Sequence, residues 1–152
     1  MKIHIYTDGA CSKNPGPGGI GIVLTSDKGH YKEISKGYEY TTNNRMELLA
    51  AIISLESLLI PNSDIILYSD SKYVVDSVEK GWAFNWEKKK FKNRKNSDLW
   101  IRFLKVYRNH NVNLKWVKGH NGQEENERCD KLAVESYKSE NLLIDKGYIS
   151  KS

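Results

Sequence analysis

Four acidic side chains stand where the predicted strands and helices could direct them toward one point. Asp8 and Asp70 each follow a short run of apolar, β-branched residues. Glu47 lies in the first turn of the helix predicted between those runs, and Asp130 lies one turn into the last predicted helix. Clustered carboxylates repel unless protons or divalent cations neutralise them, and oxygen-only ligands select hard ions. The pattern therefore favours a site for Mg²⁺, with Mn²⁺ as a substitute.

Each acid, taken alone, has an ordinary structural explanation. Asp8 before Gly9 is typical of a turn, and Asn44 with Glu47 three residues later fits a capping box. Asp70 could cap the following helix, and Asp130 could be a solvated residue beside an apolar stripe. Each explanation is at least as good as metal binding for a single acid, so only convergence of the four decides between them.

The elements that must position these acids follow from the hydrophobic pattern. The predicted strands cover residues 3–8, 20–25, 30–40, 65–68 and 112–117. The predicted helices begin at Asn44, Tyr73, Ser97 and Glu124, and the first of them ends at Pro61. The first three strands form an antiparallel meander, whereas a helix between two strands implies a parallel crossover. The sequence therefore predicts an α/β domain with a mixed sheet, in which ligand sites form outside the strand ends.

Length and composition indicate one soluble domain over residues 1–152, long enough to bury a hydrophobic core, with a loose tail from about residue 141. No apolar run approaches the roughly 20 residues that span a bilayer, and the N-terminus enters a strand without a signal-peptide pattern. Cys11 and Cys129 show neither metal-site spacing nor a disulfide framework. We therefore expect both cysteines to be reduced and to be plain core residues. We also expect a cytoplasmic location and no membrane partner.

The positive charge is confined to one segment. Residues 87–95 contain six Lys or Arg and one Glu, which accounts for the whole net charge of +5. Aromatic residues lie beside and among these cations, and Trp82 and Trp86 stand just before them. Ordinary alternatives are a helical i, i+4 tryptophan pair in the core and a solvated face of lysines. A single patch that carries all the net charge beside aromatics favours a nucleic-acid partner.

Five groups of residues, in order along the chain, resemble type 1 ribonuclease H. They are YTDGAC at 6–11 with NPGPGGIG at 14–21, TNNRME at 42–47, SDSKYV at 69–74, WVKGH at 116–120 and NERCD at 126–130. The resemblance implies a ribonuclease H-like fold, with a five-stranded mixed sheet flanked by helices. It also implies an endoribonuclease that cuts the RNA strand of RNA–DNA hybrids and leaves 5′-phosphate and 3′-hydroxyl ends.

The resemblance assigns roles to the acids and to one histidine. Asp8, Glu47, Asp70 and Asp130 match the family's ligands for two Mg²⁺ ions. Such ions, about 3.5–4 Å apart, activate a water and stabilise the departing 3′ oxygen. His120 matches a histidine that assists proton transfer or release of product and metal, as an accelerator and not as an essential group. On sequence grounds alone His120 could be an ordinary surface histidine.

The resemblance also assigns the contacts with the hybrid. We expect the protein to bind it as a monomer. The RNA strand and the minor groove would be read by Asn14, Asn43 and Asn44, with Arg45 supporting their loop. A DNA phosphate would be bound by Thr42 and Asn96, and the DNA groove would be lined by Trp82 and Trp86. The basic contacts would come from Lys88, Lys89 and Lys90.

Two features depart from the family pattern. Lys72 occupies a position where an uncharged side chain is commoner, and it could add a phosphate contact. The segment between Trp86 and Asn96 is several residues shorter than in the bacterial enzymes, which bears on affinity and not on chemistry. Two rival hypotheses are a DNA nuclease of the resolvase or transposase kind and a binding module with an inert site.

Overall fold

The computed structural model describes residues 2–118 and 123–148 and shows five strands and five helices in that part of the chain. The strands are β1 Lys2–Cys11, β2 Gly16–Ser26, β3 Tyr31–Thr41, β4 Asp64–Ser69 and β5 Asn111–Trp116. The helices are α1 Asn43–Glu56, α2 Lys72–Glu79, α3 Trp82–Lys88, α4 Ser97–Tyr107 and α5 Glu124–Tyr137. None of these described helices combines the length and the apolar character needed to cross a bilayer.

The five strands form one mixed sheet in the order β3-β2-β1-β4-β5. β2 pairs antiparallel with β1 and with β3, whereas β4 pairs parallel with β1 and with β5. This arrangement confirms the predicted fold class, a meander followed by parallel crossovers. β1 therefore has an antiparallel neighbour on one side and a parallel neighbour on the other. The C-terminal half of β1 and the end of β4 lie side by side, at the point where the connections between strands leave the sheet in different directions.

Helices cover both faces of the sheet around β1. Side chains alternate between the two faces of a strand, so Ile5 and Thr7 face the α1 side and Tyr6 faces the side on which α5 packs. α5 lies unusually close to the sheet, because a Cβ at Gly21 would overlap the Cys129 carbonyl oxygen. The absence of a side chain at Gly21 therefore lets α5 bring its polar edge against β1.

Several predicted boundaries are wrong. β1 continues through Cys11, so Asp8 lies inside a strand and not in a turn at its end. α1 begins at Asn43 and its N-cap is Thr42, whose hydroxyl accepts from the Arg45 N–H at 3.3 Å. Glu47 is thus not the acid of a capping box. The helix ends at Glu56, well before Pro61. The predicted end was too late because the apolar pattern of the sequence continues beyond the last hydrogen-bonded turn.

Residues 141–148 are not a loose tail, although the sequence gives little signal there. The Leu143 N–H donates to the Gly37 carbonyl, and the Glu39 N–H donates to the Leu143 carbonyl, both at 2.8 Å. Asp145 is buried against Arg45, which adds a buried ion pair to these backbone hydrogen bonds. The segment therefore lies along β3 and closes one side of the fold.

The close approach of α5 to β2 gives a first testable prediction. Gly21→Ala should lower the free energy of unfolding by about 2–3 kcal/mol, because the new methyl group must displace the α5 backbone. Gly29→Ala is the control: its Cβ meets nothing within 4 Å, and only its positive φ of 82° carries a cost of about 1 kcal/mol. Urea unfolding compares the two, and equal losses would contradict the close packing described above.

Candidate active site

The structure brings the four predicted acids to one cleft of about 680 Å³. One carboxylate oxygen from each of Asp8, Glu47 and Asp70 lies within 4.8 Å of the others. Asp130, from α5, lines the same cleft and lies close enough to Asp8 to act on its pKa. The side chains therefore converge from β1, α1, the end of β4 and α5, although they are far apart in the sequence.

Local sequence explains how α1 and β4 deliver their acids. A Cβ at Gly9 would overlap the Glu47 backbone nitrogen, so only glycine lets the first turns of α1 rest on β1. The Gly9 N–H also donates to Asp8 Oδ1 at 3.0 Å. Beyond β4, the Ser71 side chain caps α2 by accepting from the Val74 N–H at 3.2 Å. Asp70 is therefore held in a short turn beside the neighbouring strand, β1.

Burial and mutual repulsion change the ionisation of the two inner acids. Burial, followed by the charge of Asp70, raises the pKa of Asp8 to about 8. Burial, followed by the charges of Asp8 and Asp70, raises the pKa of Glu47 well above its usual range. Without a cation, therefore, burial and repulsion favour the protonated form of both carboxyls, and Asp8 keeps its proton at neutral pH.

The donor set fits a hard divalent cation. Glu47 Oε2 is buried and has no hydrogen-bond partner among the residues that the structure describes. A carboxylate oxygen that is withdrawn from water and left unpaired is costly unless a cation takes the place of the partner. In the described part of the chain, the ligand atoms that cluster here are all carboxylate oxygens, with no nitrogen or sulfur among them. Oxygen ligands of this kind are the ones that Mg²⁺ and Mn²⁺ prefer.

Polar residues that could contact a substrate border the acids. Asn43 and Asn44 line the acidic cleft, and the Asn43 N–H donates to Asn14 Oδ1 at 3.2 Å. The cleft is also lined by Asn126 and Glu127, which the sequence reasoning missed. Their spacing of four and three residues before Asp130 places them on the same face of α5, so helical periodicity could have identified them.

A second cleft, of about 670 Å³, lies beside the first and contains the predicted phosphate contacts. Its lining includes Asn14, Thr42, Lys95 and Asn96, and it shares Asn44 with the first cleft. Arg45, which was predicted to support its own loop, lies under this cleft and donates to side chains outside that loop. These partners are Asn96, Asp98 and Asp145.

The tryptophan pair divides its roles between core and surface. Trp82 and Trp86 lie on one helix, α3, as their spacing predicts. Trp86 packs edge-on against Trp100 and under the Arg94 guanidinium, whereas Trp82 is 43% exposed with the Lys80 ammonium 5.3 Å from its ring centre. The core explanation therefore accounts for much of Trp86, while Trp82 remains available at the surface.

The basic segment after α3 is a compact exposed loop. Lys88, Lys89 and Lys90 are exposed, and Phe91 is buried beneath them and anchors the loop to the core. Lys90, Phe91 and Asn93 all have positive φ values, which tighten the chain reversal. Elsewhere, the Lys72 ammonium lies 4.9 Å from the centre of the Trp116 ring. His120 lies outside the described residues.

Comparisons with known proteins agree with this geometry. The sequence model of the family described as RNase H matches residues 1–138. A protein of Trichodesmium erythraeum named Ribonuclease H is 53% identical over 97% of this chain and 96% of its own length.

Solved structures of related proteins have the same architecture. LC9-RNase H1, described as a type 1 RNase H with the type 2 active-site motif, has a TM-score of 0.81 at 27% identity, over 90% of this chain and 72% of its own. LC11-RNase H1 in complex with an RNA/DNA hybrid has a TM-score of 0.73 at 27% identity, over 90% of this chain and 96% of its own.

The raised pKa of Asp8 predicts how metal-free stability varies with pH. A carboxyl whose pKa is raised by folding stabilises the protein below its unfolded pKa of about 4 and loses that contribution as the pH rises toward about 8. Metal-free wild type should therefore lose stability between these pH values. Asp8→Asn should be more stable than wild type at pH 8, by on the order of 2 kcal/mol.

Thermal unfolding in EDTA and in millimolar Mg²⁺ measures this effect. Mg²⁺ should raise the melting temperature of wild type, because the ion binds only the folded cluster, and should raise that of Asp8→Asn less. Glu140→Gln changes an exposed acid outside the cleft and should behave as wild type. A wild-type stability that rises from pH 5 to pH 8 in EDTA would contradict the crowding of carboxyls.

Proposed function

The chain belongs to the ribonuclease H family and hydrolyses the RNA strand of RNA–DNA hybrids, and we propose that the acidic cleft is where it does so. The observation that carries this assignment is the convergence of Asp8, Glu47, Asp70 and Asp130 in one cleft. Cleavage would be endonucleolytic and would leave 5′-phosphate and 3′-hydroxyl ends. We further propose that residues 1–152 form a single catalytic domain.

The family is metal-dependent, and we propose Mg²⁺ as the metal, with two ions per site and Mn²⁺ as a substitute. Asp8, Glu47, Asp70 and Asp130 would hold them. The unpaired, buried Glu47 Oε2 and the raised pKa values of Asp8 and Glu47 support a site that is completed by cations. Ions held there would supply activation of the attacking water and charge stabilisation of the departing 3′ oxygen.

The protein's own groups orient the acids and select the substrate. The Gly9 N–H holds Asp8 Oδ1, and the raised pKa values mean that a cation would compete with protons for the carboxyls of Asp8 and Glu47. The amides of Asn43 and Asn44 border the acids and would hydrogen-bond the 2′-hydroxyl and base edges that distinguish RNA from DNA. His120 would exchange a proton at the departing 3′ oxygen and speed product release.

The DNA strand of the hybrid would follow the second cleft and the basic loop. Thr42 and Asn96 would bind one DNA phosphate, and Asn14 lies between the two clefts. Beyond them, Trp82 would line the groove with its exposed ring and Trp86 with the part of its ring outside the core. Lys88, Lys89 and Lys90 would add phosphate contacts there, and Lys72 would add one beside the acids.

We also propose that the enzyme acts as a monomer in the cytoplasm. Cys11 and Cys129 are both unpaired, and Cys129 is buried in the packing of α5 against the sheet. Unpaired cysteines suit a reducing compartment.

The assignment of Asp70 predicts a large loss of cleavage with retained binding. Asp70→Asn should reduce Mg²⁺-dependent cleavage of a labelled RNA–DNA hybrid by at least about 100-fold, since even the outer partners of metal ligands are worth 10–100-fold. Asp64→Asn is the matched control. Asp64 lies at the opposite end of β4 from Asp70, and its carboxylate accepts a hydrogen bond from the Asn111 side chain. Equal cutting of duplex DNA by wild type would overturn the hybrid specificity.

The basic loop predicts an effect on binding without an effect on chemistry. Replacing Lys88, Lys89 and Lys90 with Ala should weaken hybrid binding and reduce the slope of log K against log salt by about 0.9 for each phosphate that the variant no longer neutralises. The rate at saturating hybrid should not change. A triple replacement of the exposed Lys28, Lys32 and Lys138 provides a charge-matched control. An unchanged salt slope in the loop variant would place the DNA strand elsewhere.

A further inference from the structure

The carboxylate of Asp145 joins two parts of the second cleft that are far apart in the sequence. Asp145 is only 9% exposed. Its Oδ2 accepts from the Thr41 hydroxyl and from Arg45 Nε, both at 2.7 Å. Its Oδ1 accepts from Arg45 Nη2 at 2.9 Å. One side chain of the C-terminal segment therefore fixes both the end of β3 and the buried guanidinium.

The first of these connections reaches Thr42. Thr41 is completely buried and is the last residue of β3, directly before Thr42. Thr42 is itself constrained on its other side, since its hydroxyl caps α1 by accepting from the Arg45 N–H. With Thr41 held from one side and α1 from the other, the Thr42 backbone has one position at the rim of the cleft.

The second connection reaches Asn96 through Arg45. Arg45 Nη1 donates to Asn96 Oδ1 at 3.3 Å, and Asn96 Nδ2 donates to the Tyr73 hydroxyl at 3.2 Å. These contacts orient the amide and use one of its two N–H groups, so the other can serve an acceptor in the cleft. Asn96 also has a left-handed backbone, with a φ of 63°.

The C-terminal segment also supplies part of the cleft wall. Gly147 and Tyr148 line the cleft. A Cβ at Gly147 would overlap Asp98 Oδ2, so the chain passes directly over the Arg45–Asp98 ion pair. The Tyr148 ring centre lies 5.6 Å from that of Tyr40 and 5.8 Å from the Arg45 guanidinium carbon. The segment thus lies over Arg45 and next to the predicted phosphate contacts.

We propose that Asp145 is a positioning residue for the DNA-strand phosphate. By holding Thr41 and Arg45 together, its carboxylate sets the separation and orientation of Thr42 and Asn96, which would donate to the phosphate. Asp98 also pairs with Arg45, but its side chain is 43% exposed, and in the described residues only Asp145 bonds both Arg45 and Thr41. This assignment rests on the proposed function, because it specifies how that function's DNA contact is organised.

Asp145→Asn in the full chain tests the assignment. The amide keeps the size of the side chain, while it weakens the two charge-assisted bonds to Arg45. Steady-state cleavage of a hybrid should show KM raised by about tenfold with kcat unchanged, since a phosphate contact outside the acidic cleft affects binding and not the chemical step.

Two further measurements separate positioning from a general loss of stability. Glu33→Gln breaks another carboxylate–arginine pair, with Arg128 of α5, away from both clefts, and should leave KM unchanged. Asn96→Ala should also raise KM, and adding Asp145→Asn to it should raise KM much less than tenfold, because both changes affect one contact. If Asp145→Asn does not fold, Thr41→Val removes only the Thr41 connection and should still raise KM.

The possible outcomes distinguish this assignment from the proposed function. Wild type that cuts the hybrid, together with an Asp145→Asn variant whose KM is unchanged, would overturn the assignment alone. Effects of Asp145→Asn and Asn96→Ala that multiply fully would overturn it as well. Wild type that does not cut a hybrid in Mg²⁺ would overturn the proposed function and the assignment with it.

Discussion

The interaction on which this protein depends is the repulsion among carboxylates that the fold forces into one partly buried cleft. Burial and neighbouring charge together raise the pKa values of Asp8 and Glu47, so the metal-free site favours the protonated form of these carboxyls. Free energy that would otherwise stabilise the fold is stored there as unfavourable contacts. A cation that relieves them would gain affinity from the same source, which supports the proposal of a metal site in this cluster.

The rest of the architecture keeps that cleft closed against relaxation. Gly9 lets α1 rest on β1 and Gly21 lets α5 rest on β2, so the backbones that carry Glu47 and Asp130 cannot move apart without losing packing. The parallel pairing of β1 and β4 places Asp70 beside Asp8. Repulsion between the acids is thus balanced by apolar burial on both faces of the sheet.

The second cleft is organised separately from the acids and by the opposite means. Around Arg45 the charges attract: one buried guanidinium is bonded by Asp98 and Asp145, and it orients the amide of Asn96. This pairing anchors residues 141–148 and makes them part of the cleft wall. One region of the protein therefore favours a cation because its charges are unbalanced, and the neighbouring region is held together because its charges are balanced.

Periodicity and turn chemistry were enough to predict the mixed sheet, the order of its elements and the acids themselves, because these depend on neighbours within a few residues. They failed at the end of α1, where an apolar pattern continues beyond the hydrogen-bonded turns, and at Glu47, whose carboxylate could have served a helix cap or a cleft with the same spacing. They provided no signal for Asp145, since nothing in the sequence around it specifies a partner a hundred residues away.

The sequence by itself determined which residues can do chemistry and which strands and helices carry them. Only the tertiary structure decided that Asp8 lies within a strand, that the four acids share one cleft, that Trp86 is largely a packing residue while Trp82 is exposed, and that residues 141–148 are fixed. Each of these outcomes depends on distances between segments remote in the chain. Such distances are set by the packing of α1 and α5 against the two faces of the sheet and by the ion pairs of Arg45, which no local pattern encodes.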